Sequence, residues 1–161
     1  MDVEALRARL QRLEDSDAIR ALKARYFAAC DGKDPAAMRA CFVDGEVAID
    51  YGVIGCFDRA DALVAVFTQM ACHPHMVEMH HGVNPRIEIT GTDTARGEWG
   101  LHYQLINTRD ATLTQLGARY EDAYRRTAQG WKISATRCVV DSTLVLALGD
   151  SAIRALVTGR P

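Results

Sequence analysis

The chain has 161 residues, 48% of them hydrophobic and 25% charged, with a formal net charge of -2. That length fits one domain, and the composition sits at globular averages, which argues against disorder. The charge leaves no basic footprint for nucleic acid or an anionic membrane surface, and no apolar run approaches the ~18 residues of a membrane span. The N-terminus lacks the charged-then-apolar pattern of a signal peptide. Five cysteines, Cys30, Cys41, Cys56, Cys72 and Cys138, are odd in number and form no C-x-x-C pair, so they are expected as reduced core residues of a cytoplasmic protein.

The first 30 residues read as helix. Leu6, Leu10 and Leu13, then Ile19, Leu22, Tyr26 and Ala29, recur at spacings of three and four. Asp15 or Ser16 is a candidate cap for a fresh start, which would make residues 1–14 an N-terminal arm. Asp31-Gly32-Lys33-Asp34-Pro35 is expected to break the helix, with Asp34 capping a short second helix that begins at Pro35. Residues 46–51 alternate as a strand, and Asp58 is expected to cap a third helix carrying Leu63, Val66, Phe67 and Met70.

After His73 the period changes from 3.6 to 2. Four strands are expected over about 77–90, 94–108, 114–127 and 131–141, with turns at Gly91-Thr92 and Gln129-Gly130. Helices followed by long antiparallel strands define an α+β domain with its helices on one face of the sheet. A curved sheet of that length facing few helices is expected to leave a cone-shaped pocket. Residues 142–161 form an apolar tail suited to covering the pocket's open end or a neighbouring subunit. That tail, with apolar residues on the outer strand face, predicts a homodimer or homotrimer.

Several segments in order carry a resemblance. They are Ala18-Ile19-Arg20 through Tyr26, Asp31-Gly32-Lys33-Asp34, Phe42-Val43-Asp44, Ile49-Asp50-Tyr51-Gly52, His80-His81-Gly82-Val83-Asn84-Pro85-Arg86-Ile87-Glu88, Gly117 through Asp122, and Gly130-Trp131-Lys132-Ile133. Over residues 15–141 the chain resembles a SnoaL-like domain of the nuclear transport factor 2-like superfamily. The resemblance implies an α+β cone with three N-terminal helices on a long antiparallel sheet. Within that superfamily the chain resembles scytalone dehydratase, bile acid 7α-dehydratase and hexachlorocyclohexane dehydrochlorinase, which carry out eliminations with no metal or organic cofactor.

The resemblance also implies site residues. Asp31 and His80 fall on the positions of an aspartate–histidine dyad. Tyr51 stands in the motif of a carbonyl-binding tyrosine, Tyr26 has the spacing of a tyrosine five residues before the aspartate, and Arg137 is the nearest match to an arginine on the last strand. Cys30 replaces a tyrosine of the scytalone pattern.

The chemistry suits these residue types. Elimination next to a carbonyl needs a base near neutrality, a donor for the developing enolate oxygen and a proton for the leaving group. Histidine is the natural base, and a carboxylate on its far nitrogen fixes the tautomer. Arg137, if inward, requires a charge partner such as Asp31. Tyr103, Tyr120, Asp50 and Arg137 are the candidate substrate-binding residues. Trp99, Leu101 and Tyr103 share one strand face, which is either pocket lining or an oligomer interface. His81 faces opposite to His80, where it is expected to pack or to meet a neighbour. His73, His75, His80 and His81 lack an Asp or Glu at a regular ligand spacing, so no metal is expected.

Two rival readings use the same sequence. A ketosteroid-isomerase-like proton shuttle would employ Tyr26 and Asp50, which stand 24 residues apart. A ligand-binding module or scaffold subunit would use the cone with no catalytic dyad at all.

Overall fold

A computed structural model describes residues 2–149. Helix α1 runs unbroken over Val3–Gly32, α2 covers Pro35–Arg39 and α3 covers Ala60–Ala71. Six strands, β1 (Ala48–Asp50), β2 (Cys56–Phe57), β3 (Met76–Ile89), β4 (Thr94–Asn107), β5 (Thr112–Thr127) and β6 (Gly130–Ala147), form one sheet in the order β2-β1-β6-β5-β4-β3. The architecture is the expected α+β arrangement of three helices against a long sheet. The sheet is mixed rather than wholly antiparallel, because β1 runs parallel to β6, and it does not close into a barrel.

The Asp15/Ser16 position starts no new helix. Asp15 is buried and accepts hydrogen bonds from Trp131 Nε1 at 3.1 Å, Arg126 Nη2 at 2.6 Å and Gln11 Nε2 at 3.1 Å. Its carboxylate ties α1 to the β5–β6 hairpin instead of capping a turn. Burial alone would favour the neutral acid, but these three donors together hold the carboxyl below the usual aspartate range. Ahead of Asp15 the helix projects, leaving Leu6, Leu10 and Leu13 exposed. Beyond it, Ile19, Leu22, Tyr26 and Phe27 pack with Trp99, Leu101, Tyr120, Tyr124 and Ile133 in one core. Each fully buried aliphatic side chain there contributes about 1.5–3 kcal/mol.

Helix α1 also continues two residues further than its turn-like ending suggests. Its C-cap is Lys33, in the left-handed region at φ 58°, with its N–H directed at the carbonyls of Ala29 and Cys30. Asp34 then caps α2 through the Ala37 N–H at 2.9 Å, as its place before Pro35 requires. Asp58 caps nothing: α3 begins after Arg59 without a side-chain cap, and the Asp58 carbonyl accepts the Val47 N–H.

Strand β6 extends to Ala147, pairing Ser142 through Ala147 with Gly117 back to Thr112. The first part of the expected tail is therefore strand, held by ladder hydrogen bonds, and residues 150–161 of that tail lie outside the described residues. A bulge between Val83 and Arg86, with Asn84 at φ 50°, bends β3 and curves the sheet over α1. Not every cysteine is a core residue: Cys30 and Cys41 are buried, but Cys56 is exposed.

Candidate active site

Asp31 occupies the last turn of α1, and His80 lies mid-strand in β3 on the face toward that helix. Both carboxylate oxygens of Asp31 accept the backbone N–H of His80, each at 3.1 Å, and Oδ1 stands 2.6 Å from His80 Nδ1. The backbone contact fixes where the carboxylate sits, and the ring contact fixes how the imidazole turns. With Asp31 ionised, Nδ1 carries the hydrogen and donates it, leaving the Nε2 lone pair as the basic atom. The side chains of His80 and Asp31 are 13% and 29% exposed, so the pair is reachable from one end of the molecule.

Two aromatic rings frame the imidazole. Phe27 stacks on it with centroids 5.8 Å apart and planes at 13°, and Tyr103 meets it edge-on at 4.8 Å. Gly82 makes the Phe27 position available, since a Cβ there would come within 2.5 Å of the Phe27 ring. Tyr103 donates its hydroxyl to Glu78 Oε1 at 2.7 Å, and Lys33 forms an ion pair with the other oxygen of Glu78. Burial and the adjacent Glu78 carboxylate push the Tyr103 phenol well up, so it remains a hydrogen-bond donor.

Deeper in the interior, the hydroxyls of Tyr26 and Tyr51 lie 2.7 Å apart. Burial raises both phenols, so neither ionises near neutrality. Phe27 contacts both this region and the dyad, with ring centroids 5.7 Å from Tyr26 and 5.8 Å from Tyr120.

Below them lies a fully buried ion pair that sequence reasoning did not single out. Lys23 Nζ is 2.7 Å from Asp122 Oδ2, with both side chains 0% exposed. Asp122 also accepts Tyr124 OH and Thr136 Oγ1, each at 2.6 Å, and Trp99 Nε1 donates to Tyr124 at 2.9 Å. The Lys23 contact is close but off hydrogen-bond alignment, and Nζ sits 3.6 Å from the centroid of the Tyr120 ring. Aromatic rings and this network fill the interior behind the dyad, where a cone-shaped pocket was expected.

The structure therefore brings together Asp31, His80 and Tyr103, and separately Tyr26, Tyr51 and Tyr120. Tyr120 is committed to the core beneath Lys23, and Trp99 and Leu101 face inward with it. Asp50 and Arg137 do not join either group. They pair with each other on the outer sheet face at 3.3 Å, 47% and 56% exposed. Arg137 lies opposite Glu121, whose neighbours Tyr120 and Asp122 point inward, so strand parity sends the guanidinium outward. Its expected partnership with Asp31 is replaced by a cross-strand row of Arg86, Glu98, Glu121, Arg137 and Asp50. The same parity removes Asp50 from Tyr26, which undoes the geometry that the isomerase-like reading needs. His81 lies exposed on the outer face, opposite His102.

Three helices at one face of a long, curved, open sheet are the nuclear transport factor 2-like fold. Residues 11–137 match the model of the SnoaL-like domain, and the chain belongs to that family. Solved structures agree with the fold. A candidate scytalone dehydratase from Novosphingobium aromaticivorans superposes with a TM-score of 0.76 at 18% identity, over 93% of this chain and 97% of that one. A type 2 hexachlorocyclohexane dehydrochlorinase gives 0.78 at 19% identity, over 94% and 99%. An NTF2-like protein with a cystatin-like fold, also from N. aromaticivorans, gives 0.71 at 23% identity, over 88% and 91%.

Proposed function

We propose that this protein is a cofactor-independent lyase that eliminates water, or a comparable leaving group, from a small or polycyclic hydroxy-ketone. The observation that carries this reading is the Asp31–His80 pair at 2.6 Å, built from two distant segments and open to solvent on one side. His80 Nε2 removes the proton next to the substrate carbonyl, and Asp31 stabilises the imidazolium that results. The electron pair released from that C–H bond forms the new double bond as the leaving group departs, and the proton held on Nε2 serves the departing oxygen. Tyr26 and Tyr51, whose hydroxyls are hydrogen-bonded to each other deeper in the interior, are assigned to the substrate oxygen, which requires the substrate to displace part of the aromatic packing behind the dyad. The neighbours whose names describe a dehydratase and a dehydrochlorinase share this fold and support an elimination.

The test is turnover of a panel of β-hydroxy-ketones, with scytalone and hexachlorocyclohexane included, by the wild type and by His80→Ala without added cofactor. Wild-type turnover that His80→Ala lowers by about 10² to 10⁴ supports the reading. Turnover indifferent to His80 refutes it, and ligand binding without turnover returns the scaffold alternative. Five unpaired cysteines suit a reducing cytoplasm. We also assign the outer sheet face, where Val77, Ile106, Leu113 and Leu146 line up across four strands, to contact between copies in a homodimer or homotrimer. Sedimentation as a monomer at micromolar concentration would contradict that assignment.

A further inference from the structure

Lys33 is an unusual residue for its place. A left-handed helix C-cap favours glycine, because any Cβ is crowded there, yet this helix places Gly32 one residue early and puts a lysine at the left-handed position. What the lysine gains is Glu78: their ion pair is nearly buried, with side chains 10% and 9% exposed. Glu78 is two residues from His80 on the same strand face, and its second oxygen takes the Tyr103 hydroxyl at 2.7 Å. Tyr103 is the ring that meets the His80 imidazole edge-on. A strained backbone, a buried ion pair and an aromatic contact thus converge on one side of the base, opposite Phe27.

We propose that Lys33, Glu78 and Tyr103 are positioning residues: a brace that holds the His80 ring in the plane where Nε2 faces the substrate. This rests on the reading of His80 as the base. Asp31 fixes the ring at Nδ1, but one hydrogen bond leaves rotation about the Nδ1···Oδ1 line, and the Phe27 and Tyr103 rings restrict that motion from two sides. Tyr103 is thereby reassigned from substrate binding, because its one donor is committed to Glu78 and burial keeps it protonated. The charged groups surrounding the ring are Asp31 and Lys33 from the end of α1 and Glu78 from β3, with the neutral Tyr103 phenol from β4. Removing one member of such a network releases the others, since a nearly buried carboxylate or ammonium left alone seeks solvent.

The experiment is a histidine ring NMR spectrum of the full chain, with the His80 signal assigned by its loss in His80→Asn. Glu78→Ala and Lys33→Gly are expected to shift or broaden the His80 ring resonances while those of His73 and His102 stay in place. Glu78→Gln, which keeps an oxygen for the Tyr103 hydroxyl, is expected to restore most of the wild-type signal. Lys33→Gly relieves the left-handed strain, so its Tm should stay within about 5 °C of wild type even as the His80 signal moves. On a turned-over substrate the same two variants should lower kcat by about 10- to 10²-fold with little change in KM. His80 resonances unchanged in Glu78→Ala and Lys33→Gly would overturn the brace, as would failure of Glu78→Gln to restore them. If Glu78→Ala does not fold, Tyr103→Phe, which removes only the hydroxyl, decides the question by the same signal. The spectrum is read on resting protein, so it judges the brace even where no elimination is found.

Discussion

Two carboxylate–base pairs lie under the same helix, and they have opposite fates. Asp122 and Lys23 are sealed in the core, and every oxygen of Asp122 is taken up by Lys23, Tyr124 or Thr136. Asp31, in the last turn of the helix, and His80 beside it are partly open, with one imidazole nitrogen held and the other turned away from the carboxylate. Residue type alone would rank the two pairs as equal candidates for acid–base chemistry. Access and spare valence separate them: a base must keep a lone pair that solvent or substrate reaches, whereas a structural ion pair must leave none exposed.

That contrast breaks most sharply at His80. His80→Ala is expected to reduce elimination by about 10² to 10⁴ while the folded protein survives, measured as kcat beside a thermal melt. Asp31→Asn should cost a similar factor, and the two losses should not add in the double variant, because both act through one imidazole.

The sealed pair should behave in the reverse sense. Asp122→Ala strands the Lys23 ammonium beneath Tyr120 and leaves the Tyr124 and Thr136 hydroxyls without their acceptor. A loss of about 3–5 kcal/mol in urea unfolding is expected, and unchanged stability would show the network to be dispensable. Asp15→Asn is intermediate, at about 1–3 kcal/mol, since the amide still accepts from Trp131 but no longer pairs with Arg126. The Asp15 carboxyl is depressed in the folded state, so its stabilisation is present above the unfolded aspartate range and fades as pH falls through the folded value. The gap between wild type and Asp15→Asn should therefore narrow in acid below about pH 4. The smallest effect belongs to the outer face. Arg137→Leu is expected to change stability by at most about 1 kcal/mol and elimination not at all, because its ion pairs are exposed. A large loss of turnover there would return Arg137 to the site.

The helical stripe from Ile19 to Ala29 and the period-2 strands are legible in the sequence, and the resemblance points to Asp31 and His80 as neighbours. Arg137 and Asp50 were not, because alternation tells which residues share a face but not which face is inward. That required the register of β6 against β5 and the parallel pairing of β1. Lys23 does carry a signal in the sequence: it lies four residues after Ile19 and three before Tyr26, on the apolar stripe itself. Asp122 likewise falls between Tyr120 and Tyr124 at inward parity. A charge at an apolar position on each of two facing elements is the sequence form of a buried ion pair. Glu78 and Lys33 offered less, since left-handed backbone at a lysine is not visible in a string of letters. The strand at 142–147 reads as tail because Leu144 through Ala147 are apolar on both sides and so hide the alternation.

The anchoring of α1 at Asp15 divides one continuous helix into two exchange regimes. Amide protons ahead of it have no tertiary cover over Leu6, Leu10 and Leu13, so they trade with solvent through fraying at little free-energy cost. Those from Ile19 onward open only when the sheet lets go of the helix, and they report the stability of the whole fold. A single helix thus carries both a fast and a slow clock, set apart by the turn at Asp15.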